Sequence, residues 1–370
     1  MARAVLALED GSCYWGESFG GRSAAGGEVV FNTSMTGYQE IASDPSYNGQ
    51  IVVMTYPLIG SYGAYPAASE SRRPWIEAMV VSELMHPERE GVDSFGAYLA
   101  AHDVPGLSGV DTRSLARRLR GGRRRGYLTQ IADGGDRDAL VAEAAIARAL
   151  AVSPLEDRDV VSEVVGPGRT IVGPVGGPPV AVVDAGIKEN QVRVLVERGA
   201  TVRVLDPSAS VAEILANGTR GVMLSNGPGD PATLDRFVAT AAELIRVAES
   251  RGGELAILGI CLGHQVLARA IGATTSRLPF GHHGGNHPVR ELDTGRVAIT
   301  TQNHEFRVDE SSIPSGSGFV VSHRNLNDGS VEGMAHRTLP ILSLQFHPEA
   351  APGPRDSLGV FDRFVALAGA

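Results

Sequence analysis

Between residues 180 and 270, short apolar runs alternate with amphipathic segments, and this alternation constrains the fold more than any other feature. The pattern predicts strands at 180–184, 201–205, 221–224 and 255–258, separated by helices at 190–197, 211–216 and 232–250. Strands and helices in this order form parallel βα units, so we expect an α/β fold with an open, doubly wound, mostly parallel sheet. Later apolar segments predict an antiparallel extension of that sheet. Its ligand site is expected at the carboxyl ends of the strands.

At 370 residues the chain is long enough for about two domains. The first 150 residues contain short strands, many glycines and a helix predicted near 137–150, which indicates a smaller α+β domain. A Gly/Pro-rich stretch from Gly166 to Pro179 is not expected to sustain helix or strand. We therefore divide the chain into an N-terminal domain at 1–152, a linker at 153–179 and a C-terminal domain at 180–370.

A lone cysteine stands between two glycines where the last of these strands meets a helix. The sequence Gly259-Ile260-Cys261-Leu262-Gly263 has the layout of a nucleophile elbow with cysteine in place of serine. Glycine fits the flanking positions because side chains would collide in so tight a turn. The helix N-terminus favours the thiolate over the thiol. On this motif alone, a small buried cysteine packed at a strand end stays open as the alternative.

A histidine and a glutamate follow the apolar strand that ends at Leu344. His347 and Glu349 flank a proline that keeps the chain extended, so both side chains are expected on the same side. An imidazole can take the thiol proton while a carboxylate orients the ring. The pattern predicts a triad of Cys261, His347 and Glu349, and the alternative is a capping histidine beside a surface glutamate.

A glycine-rich turn follows the strand at 221–224. The N–H groups around Gly227 and Gly229, together with the N–H of Leu262, are predicted to bind the oxyanion of a tetrahedral intermediate. An ordinary Gly/Pro turn is the alternative.

The composition limits the kinds of partner that the chain is expected to bind. A net charge of −9 argues against binding to nucleic acid. No apolar run reaches the roughly 18 residues of a membrane helix, so we expect no contact with a membrane either. The two cysteines, Cys13 and Cys261, do not form a disulfide framework, which favours the cytoplasm. Histidines 282, 283 and 287 lack a carboxylate or cysteine at ligand spacing, so we expect a shaped loop there and no metal site.

One basic run stands out against this acidic background. Arginines between residues 117 and 125 follow a plausible helix cap at Asp111, and Leu115 and Leu119 form an apolar pair on that helix. The run is predicted to be a solvated helix face or a subunit contact. RNA or phosphate binding is the alternative.

The three strand-end segments together resemble a class I glutamine amidotransferase domain, with 259–265 as the nucleophile motif and 347–349 as its partner. The N-terminal half resembles the domain peculiar to the small subunit of carbamoyl phosphate synthetase. Six segments carry this second resemblance: 32–40, 44–47, 55–60, 109–113, 281–289 and 343–353. The match therefore extends over nearly the whole chain.

This resemblance implies a glutaminase subunit that hydrolyses L-glutamine through a glutamyl thioester on Cys261 and passes ammonia to a large subunit. The large subunit would use ATP, magnesium and bicarbonate to make carbamoyl phosphate for arginine and pyrimidine biosynthesis, whereas this chain would hold no cofactor. A cytoplasmic heterodimer is implied. By motif position, contacts with glutamine are implied for Ser46, Gly227, Gly229, Leu262, Gln265, Asn303, Glu305 and Phe306.

Glu305 departs from the family's usual pattern, which has a glycine whose backbone helps to hold the substrate. A glutamate is expected to fit that backbone geometry poorly and to repel the glutamine α-carboxylate, with Arg307 as a candidate compensating charge. Two other functions therefore stay open. One is an amidotransferase subunit of another synthetase, and the other is a catalytically weak scaffold or regulatory paralogue.

Overall fold

The computed structural model describes residues 2–87, 91–122, 124–131, 138–173 and 176–369. It divides into two compact units, Met1–Val160 with Pro279–Gly284, and Val161–Leu278 with Gly285–Ala370. Arg137 of the predicted helix, Arg123 of the basic run and residues 174 and 175 of the predicted linker lie outside the described residues.

The first unit is built around a closed barrel. Its strands are β1 (Arg3–Leu8), β2 (Cys13–Gly20), β3 (Ala25–Asn32), β4 (Gln50–Met54), β5 (Leu58–Ile59), β6 (Ala78–Val80), β7 (Glu83–Leu84), β8 (Pro105–Ser108) and β9 (Arg125–Gln130). Its helices are α1 (Tyr38–Ser43), α2 (Phe95–Ala101), α3 (Thr112–Leu119) and α4 (Asp138–Leu150). The barrel order is β1-β2-β8-β6-β4-β3-β9, and β5 pairs with β7 separately.

Helix α3 covers one side of the barrel core. Alternate residues of β3 and β4, such as Phe31 and Val53, share a cluster with Leu115 and Leu119 of α3. Asp111 caps the helix by accepting a hydrogen bond from the Ser114 N–H at 2.9 Å, which confirms the predicted cap.

From residue 160 onward the chain forms α5 (Val160–Val164), β10 (Arg169–Ile171), β11 (Pro179–Val183), α6 (Glu189–Glu197), β12 (Thr201–Leu205), α7 (Val211–Ile214), β13 (Gly221–Leu224), α8 (Asp235–Ser250), β14 (Ala256–Ile260) and α9 (Leu262–Ala270). It continues with β15 (Thr275–Glu291), β16 (Val297–Val308), β17 (Phe319–Asn325), β18 (Val331–His336), β19 (Ile341–Leu344) and α10 (Gly359–Gly369).

The second unit contains a ten-stranded sheet in the order β10-β12-β11-β13-β14-β19-β18-β17-β15-β16. The segment β12-β11-β13-β14-β19 is parallel, and β18 and β17 continue it antiparallel, as the sequence predicted. Apolar clusters cover both faces, because Val180 and Val182 of β11 point into one cluster while Ala181 and Val183 point into the other. Within the described residues no helix is long and apolar enough to span a membrane.

Two local predictions were wrong. Arg169–Ile171 forms β10 inside the stretch expected to lack strand, because it pairs antiparallel at the edge of the sheet, where neighbouring Gly and Pro are tolerated. The histidine segment expected to be a loop lies within the 17-residue strand β15. That strand accommodates its glycines as irregular positions, with φ of 69° at Gly281 and 141° at Gly284.

Candidate active site

The turn between β14 and α9 places Cys261 in a strained backbone conformation. Its φ is 53° and its ψ is −104°, and the next residue, Leu262, begins α9. A Cβ on Gly263 would lie 2.1 Å from the carbonyl oxygen of Leu224, and one on Gly259 would lie 2.6 Å from Cδ1 of Leu267. Real Cβ atoms do not approach other atoms this closely. The expectation that side chains would collide at both flanking positions is therefore confirmed.

Backbone hydrogen bonds hold this conformation. The Cys261 N–H donates to the carbonyl oxygen of Leu344 on the neighbouring strand at 2.8 Å, and the His264 and Gln265 N–H groups donate to the Cys261 carbonyl at 3.1 and 3.2 Å. A sparsely populated conformation of this kind costs about 1–3 kcal/mol and persists where its surroundings determine it. As a result, the thiol is fixed at the carboxyl end of β14 and at the start of α9.

The Cys261 sulfur is buried among polar groups. Nε2 of Gln345 donates to Sγ at 3.7 Å, and Sγ lies 3.6 Å from the carbonyl oxygen of Asn303. Nε2 of Gln265 donates to Oε1 of Gln345 at 3.0 Å and to the Phe306 carbonyl at 2.9 Å. Of the residues predicted to bind glutamine, Asn303 thus lies next to the sulfur, and Gln265 and Phe306 are connected to it through Gln345. Gln345 is an additional member that the sequence analysis did not single out.

His347 lies beyond the end of β19, which pairs in parallel with β14 through Ile260 and Leu344. Nδ1 of His347 lies 2.7 Å from Oε1 of Glu349, and the His347 N–H donates to the Thr301 carbonyl at 2.9 Å. Nε2 of His347 is buried and has no hydrogen-bond partner among the described residues. With Nδ1 held by the carboxylate, Nε2 is the ring nitrogen left for proton transfer.

A buried lysine stabilises the charge on Glu349. Nζ of Lys188 lies 3.1 Å from Oε1 of Glu349 and donates to the Ala350 carbonyl at 2.6 Å, and both side chains are almost fully buried. Burial would raise the pKa of the Glu349 carboxyl, but the charges of Lys188 and His347 outweigh it and lower this pKa to about 2. Glu349 is therefore ionised at neutral pH. The sequence analysis missed Lys188, whose only signal was its place after β11, at the same edge of the sheet.

The turn after β13 is shaped by close backbone approach. A Cβ on Gly227 would lie 2.1 Å from the carbonyl oxygen of Ala185, and Gly229 has a φ of 93°. The Asn226 side chain ties this turn to the one after β11, because its Nδ2 donates to the Gly186 carbonyl at 2.9 Å. Leu262 is the first residue of α9, so its N–H has no acceptor within the helix. The predicted oxyanion role of these N–H groups remains a prediction.

Glu305 is neutralised by an arginine. It lies in β16 with a φ outside the left-handed region, and its Oε2 lies 3.1 Å from a guanidinium nitrogen of Arg277, with 11% of the Glu305 side chain exposed. The sequence suggested Arg307 as the compensating charge, whereas Glu305 forms an ion pair with Arg277, 28 residues upstream. The Arg277 guanidinium also lies 5.3 Å from the centre of the Phe306 ring.

Ser46 belongs to the first unit. It is buried, and its N–H donates to Oδ1 of Asp44 at 2.9 Å. Its predicted contact with glutamine remains a prediction.

Comparison with known proteins assigns both halves of the chain. Residues 181–367 match the family profile of class-I glutamine amidotransferases, and residues 6–128 match that of the carbamoyl-phosphate synthase small chain, CPSase domain. A carbamoyl phosphate synthase small chain from Symbiobacterium thermophilum is 49% identical over 97% of each chain. The chain belongs to the carbamoyl phosphate synthase small-chain family.

Other small chains agree with this assignment. The relative from Chlorobaculum tepidum is 46% identical and covers 98% of this chain and 97% of its own. A relative from Halalkalibacterium halodurans, named a pyrimidine-specific carbamoyl phosphate synthase small chain, is 43% identical over 98% of this chain and 96% of its own. A solved glutamine amidotransferase from Thermotoga maritima covers 47% of this chain and 76% of its own, at a TM-score of 0.37 and 20% identity, which is too remote to carry an argument.

Proposed function

We propose that this chain is the glutamine-hydrolysing subunit of a carbamoyl phosphate synthase and that Cys261, His347 and Glu349 form its catalytic triad. One observation carries the triad: Nδ1 of His347 is held 2.7 Å from an ionised, buried Glu349, while Nε2 has no partner among the described residues, at the strand end next to that of Cys261. This arrangement is what a histidine needs to exchange protons with a neighbouring thiol.

In the first half of the reaction, the Cys261 sulfur attacks the side-chain carbonyl carbon of glutamine. His347 accepts the thiol proton and donates it to the departing nitrogen, so ammonia leaves and a glutamyl thioester remains. The oxyanion of the tetrahedral intermediate is stabilised by the Leu262 N–H and by the turn containing Gly227 and Gly229, at about 3 kcal/mol per donor.

In the second half, His347 activates a water molecule that attacks the thioester carbonyl. The carbon–sulfur bond breaks, glutamate leaves and the thiol regains its proton. Glutamine and water are thereby converted to glutamate and ammonia. Glu349 stays ionised throughout, because Lys188 holds its pKa near 2, and it stabilises the imidazolium that forms in each half.

The ammonia is passed to the large subunit, where ATP, magnesium and bicarbonate are used to make carbamoyl phosphate. Glutamine contacts are assigned to Ser46, Gly227, Gly229, Leu262, Gln265, Asn303, Glu305 and Phe306. The burial of the sulfur supports a substrate bound inside the domain rather than on its surface. The product serves pyrimidine or arginine biosynthesis.

Trapping of the thioester tests the triad. Acid quenching of the purified two-subunit enzyme during glutamine turnover, followed by peptide mass spectrometry, is expected to find a glutamyl adduct on Cys261. The second cysteine of the chain, Cys13, is the internal control, because it lies in the first unit and is expected to stay unmodified. Turnover of glutamine without any adduct on Cys261, or with one on Cys13, would contradict the triad.

The same experiment, together with an assay of carbamoyl phosphate synthesis, separates the two other candidate functions. A catalytically weak scaffold would bind the large subunit without forming an adduct, and the neutralisation of Glu305 by Arg277 argues against that function. An amidotransferase that serves another synthetase would form the adduct but would not support carbamoyl phosphate synthesis when mixed with the large subunit.

Arg277→Ala is expected to raise the KM for glutamine about tenfold with a smaller change in kcat, equivalent to about 1.4 kcal/mol of binding. The reason is that Glu305, with only 11% of its side chain exposed, would then lose the counter-charge of Arg277 in the glutamine site. Steady-state glutaminase kinetics measure this. The double variant Arg277→Ala/Glu305→Gly removes both charges and is expected to restore KM, and an unchanged KM in the single variant would show that Glu305 does not face the substrate.

A further inference from the structure

The arginines on and after α3 divide into two sets. Arg118 and Arg124 both pair with Asp10, at 3.1 and 3.2 Å, and Arg125 pairs with Glu9 at 2.7 Å. The other set forms no ion pair with a carboxylate in the described part of the chain, and we call it the arginine face: Arg113, Arg117 and Arg120. These residues are exposed, and their spacing of four and three places them along one side of the helix.

The arginine face borders a cavity in the first unit. The cavity has a volume of about 620 Å³, and the hydroxyl-bearing residues Thr33, Thr55 and Ser82 also line it. A volume of this size lies in the range of pockets that bury small organic ligands. The cavity is therefore larger than a single ion needs.

Aromatic side chains adjoin the same surface. The Arg120 guanidinium lies 5.9 Å from the centre of the Phe31 ring, and Phe31 stacks on Phe280 at 6.0 Å. Phe280 is 39% exposed, so part of its ring is available to a partner. Arginine and aromatic residues together are the composition that is enriched in protein interfaces and in their hot spots.

The members of the arginine face differ in their effect on α3, because Arg117 and Arg120 lie at the C-terminal end, where a positive charge favours the helix dipole. Arg113 lies in the first turn of α3, where a positive charge opposes the helix dipole. Arg113 and Arg117 are like charges one turn apart, which destabilises a helix by a few tenths of a kcal/mol. In a chain with a net charge of −9, the three cations outnumber Asp111, the one carboxylate among the residues lining the cavity, and create a local positive field that attracts an acidic partner.

We propose that the arginine face is a docking site for an acidic segment of the large synthase subunit. Carboxylates of that segment pair with Arg113, Arg117 and Arg120, and its apolar side covers Phe280. From Arg113 to Arg120 the helix rises about 10 Å, which matches several carboxylates along a peptide and exceeds one phosphate group. The proposal depends on the proposed function in one respect, because that function makes the large subunit the partner.

Charge reversal on the full-length chain tests the docking site. Arg113→Glu/Arg117→Glu is expected to weaken the affinity for the large subunit about 100-fold and to reduce the salt dependence of association, both measured by calorimetry over a salt series. The matched control, Arg246→Glu/Arg251→Glu, reverses two exposed arginines of the second unit and is expected to leave the affinity within about threefold of the parent chain. The glutaminase activity of the isolated variant chains is expected to be unchanged.

Two results would overturn the proposal. The first is a subunit affinity that falls no more in the arginine-face variant than in the control. The second is an unchanged subunit affinity together with loss of a thermal stabilisation that inorganic phosphate gives the parent chain, which would identify a small-anion site instead. Arg113→Gln/Arg117→Gln keeps the measurement valid if the reversed charges impair folding. Failure of the triad would appear separately, as an isolated parent chain without glutaminase activity.

Discussion

Cys261→Ala is expected to reduce glutamine-dependent carbamoyl phosphate synthesis by about 10⁴-fold or more, because the proposed acyl intermediate forms on the Cys261 sulfur. Synthesis from added ammonia by the same two-subunit enzyme is expected to be retained, since that reaction does not use the thiol. Parallel assays with glutamine and with ammonium chloride measure the two rates. The ratio of the two rates separates the loss of the nucleophile from any effect of the substitution on subunit assembly.

The second cysteine gives the matched control for this result. Cys13→Ala removes a partly buried thiol from β2 in the first unit and is expected to leave both rates unchanged. Alanine at position 261 keeps a Cβ at the strained backbone, so the turn is preserved. Glutamine-dependent synthesis that survives in Cys261→Ala would eliminate the proposed mechanism, and loss of the ammonia-dependent rate would point to misfolding.

Lys188→Met is expected to lower the free energy of unfolding by about 3–5 kcal/mol, because it leaves the Glu349 carboxylate buried without its counter-charge. The pKa of the Glu349 carboxyl should rise from its lowered value. Because a less ionised Glu349 orients the His347 ring less firmly, kcat is also expected to fall. Denaturant unfolding and glutaminase kinetics measure the two effects. Unchanged stability and unchanged kcat would show that the ion pair has no role.

The pH dependence of stability tests whether the Glu349 carboxylate causes the loss of stability in Lys188→Met. Because the folded-state pKa of Glu349 is lowered to about 2, its contribution is fully present above its unfolded pKa of about 4.3 and is lost as the pH falls toward 2. Lys188→Met is therefore expected to flatten the loss of stability between about pH 4.3 and pH 2. The double variant Lys188→Met/Glu349→Gln removes both charges, and we expect it to recover stability without recovering the parent kcat.

The α/β half of the fold was predictable because its signals are local. The strands 201–205 and 221–224 were predicted at their observed bounds, and the turn at Cys261 followed from two glycines between a strand and a helix. The barrel of the first unit was not predicted. Its closure depends on pairing between distant strands, such as β1 with β9, and that pairing leaves no trace in local periodicity.

The candidate site likewise contains residues that the sequence predicted and residues that it did not. Cys261, His347 and Glu349 follow strands that neighbour one another, so sheet topology alone places them at one edge. Lys188 and Arg277 were missed because a lone lysine or arginine in a sequence is usually solvated, and each becomes distinctive only through a carboxylate far along the chain. Arg307 was suggested for Glu305 only because it is close in the sequence, whereas the ion pair forms with Arg277, 28 residues upstream.

The pair formed by Arg277 and Glu305 constrains the history of the chain. If an ancestor had glycine at position 305, as the resemblance implies, a glutamate arising there first would have placed a largely buried charge without the counter-charge of Arg277. An arginine arising first at position 277 would have met a milder cost, because its long side chain can reach solvent while lying against the Phe306 ring. The two substitutions are therefore expected to have accumulated in a fixed order, arginine before glutamate. In the reverse direction, Glu305 would return to glycine before Arg277 could be replaced.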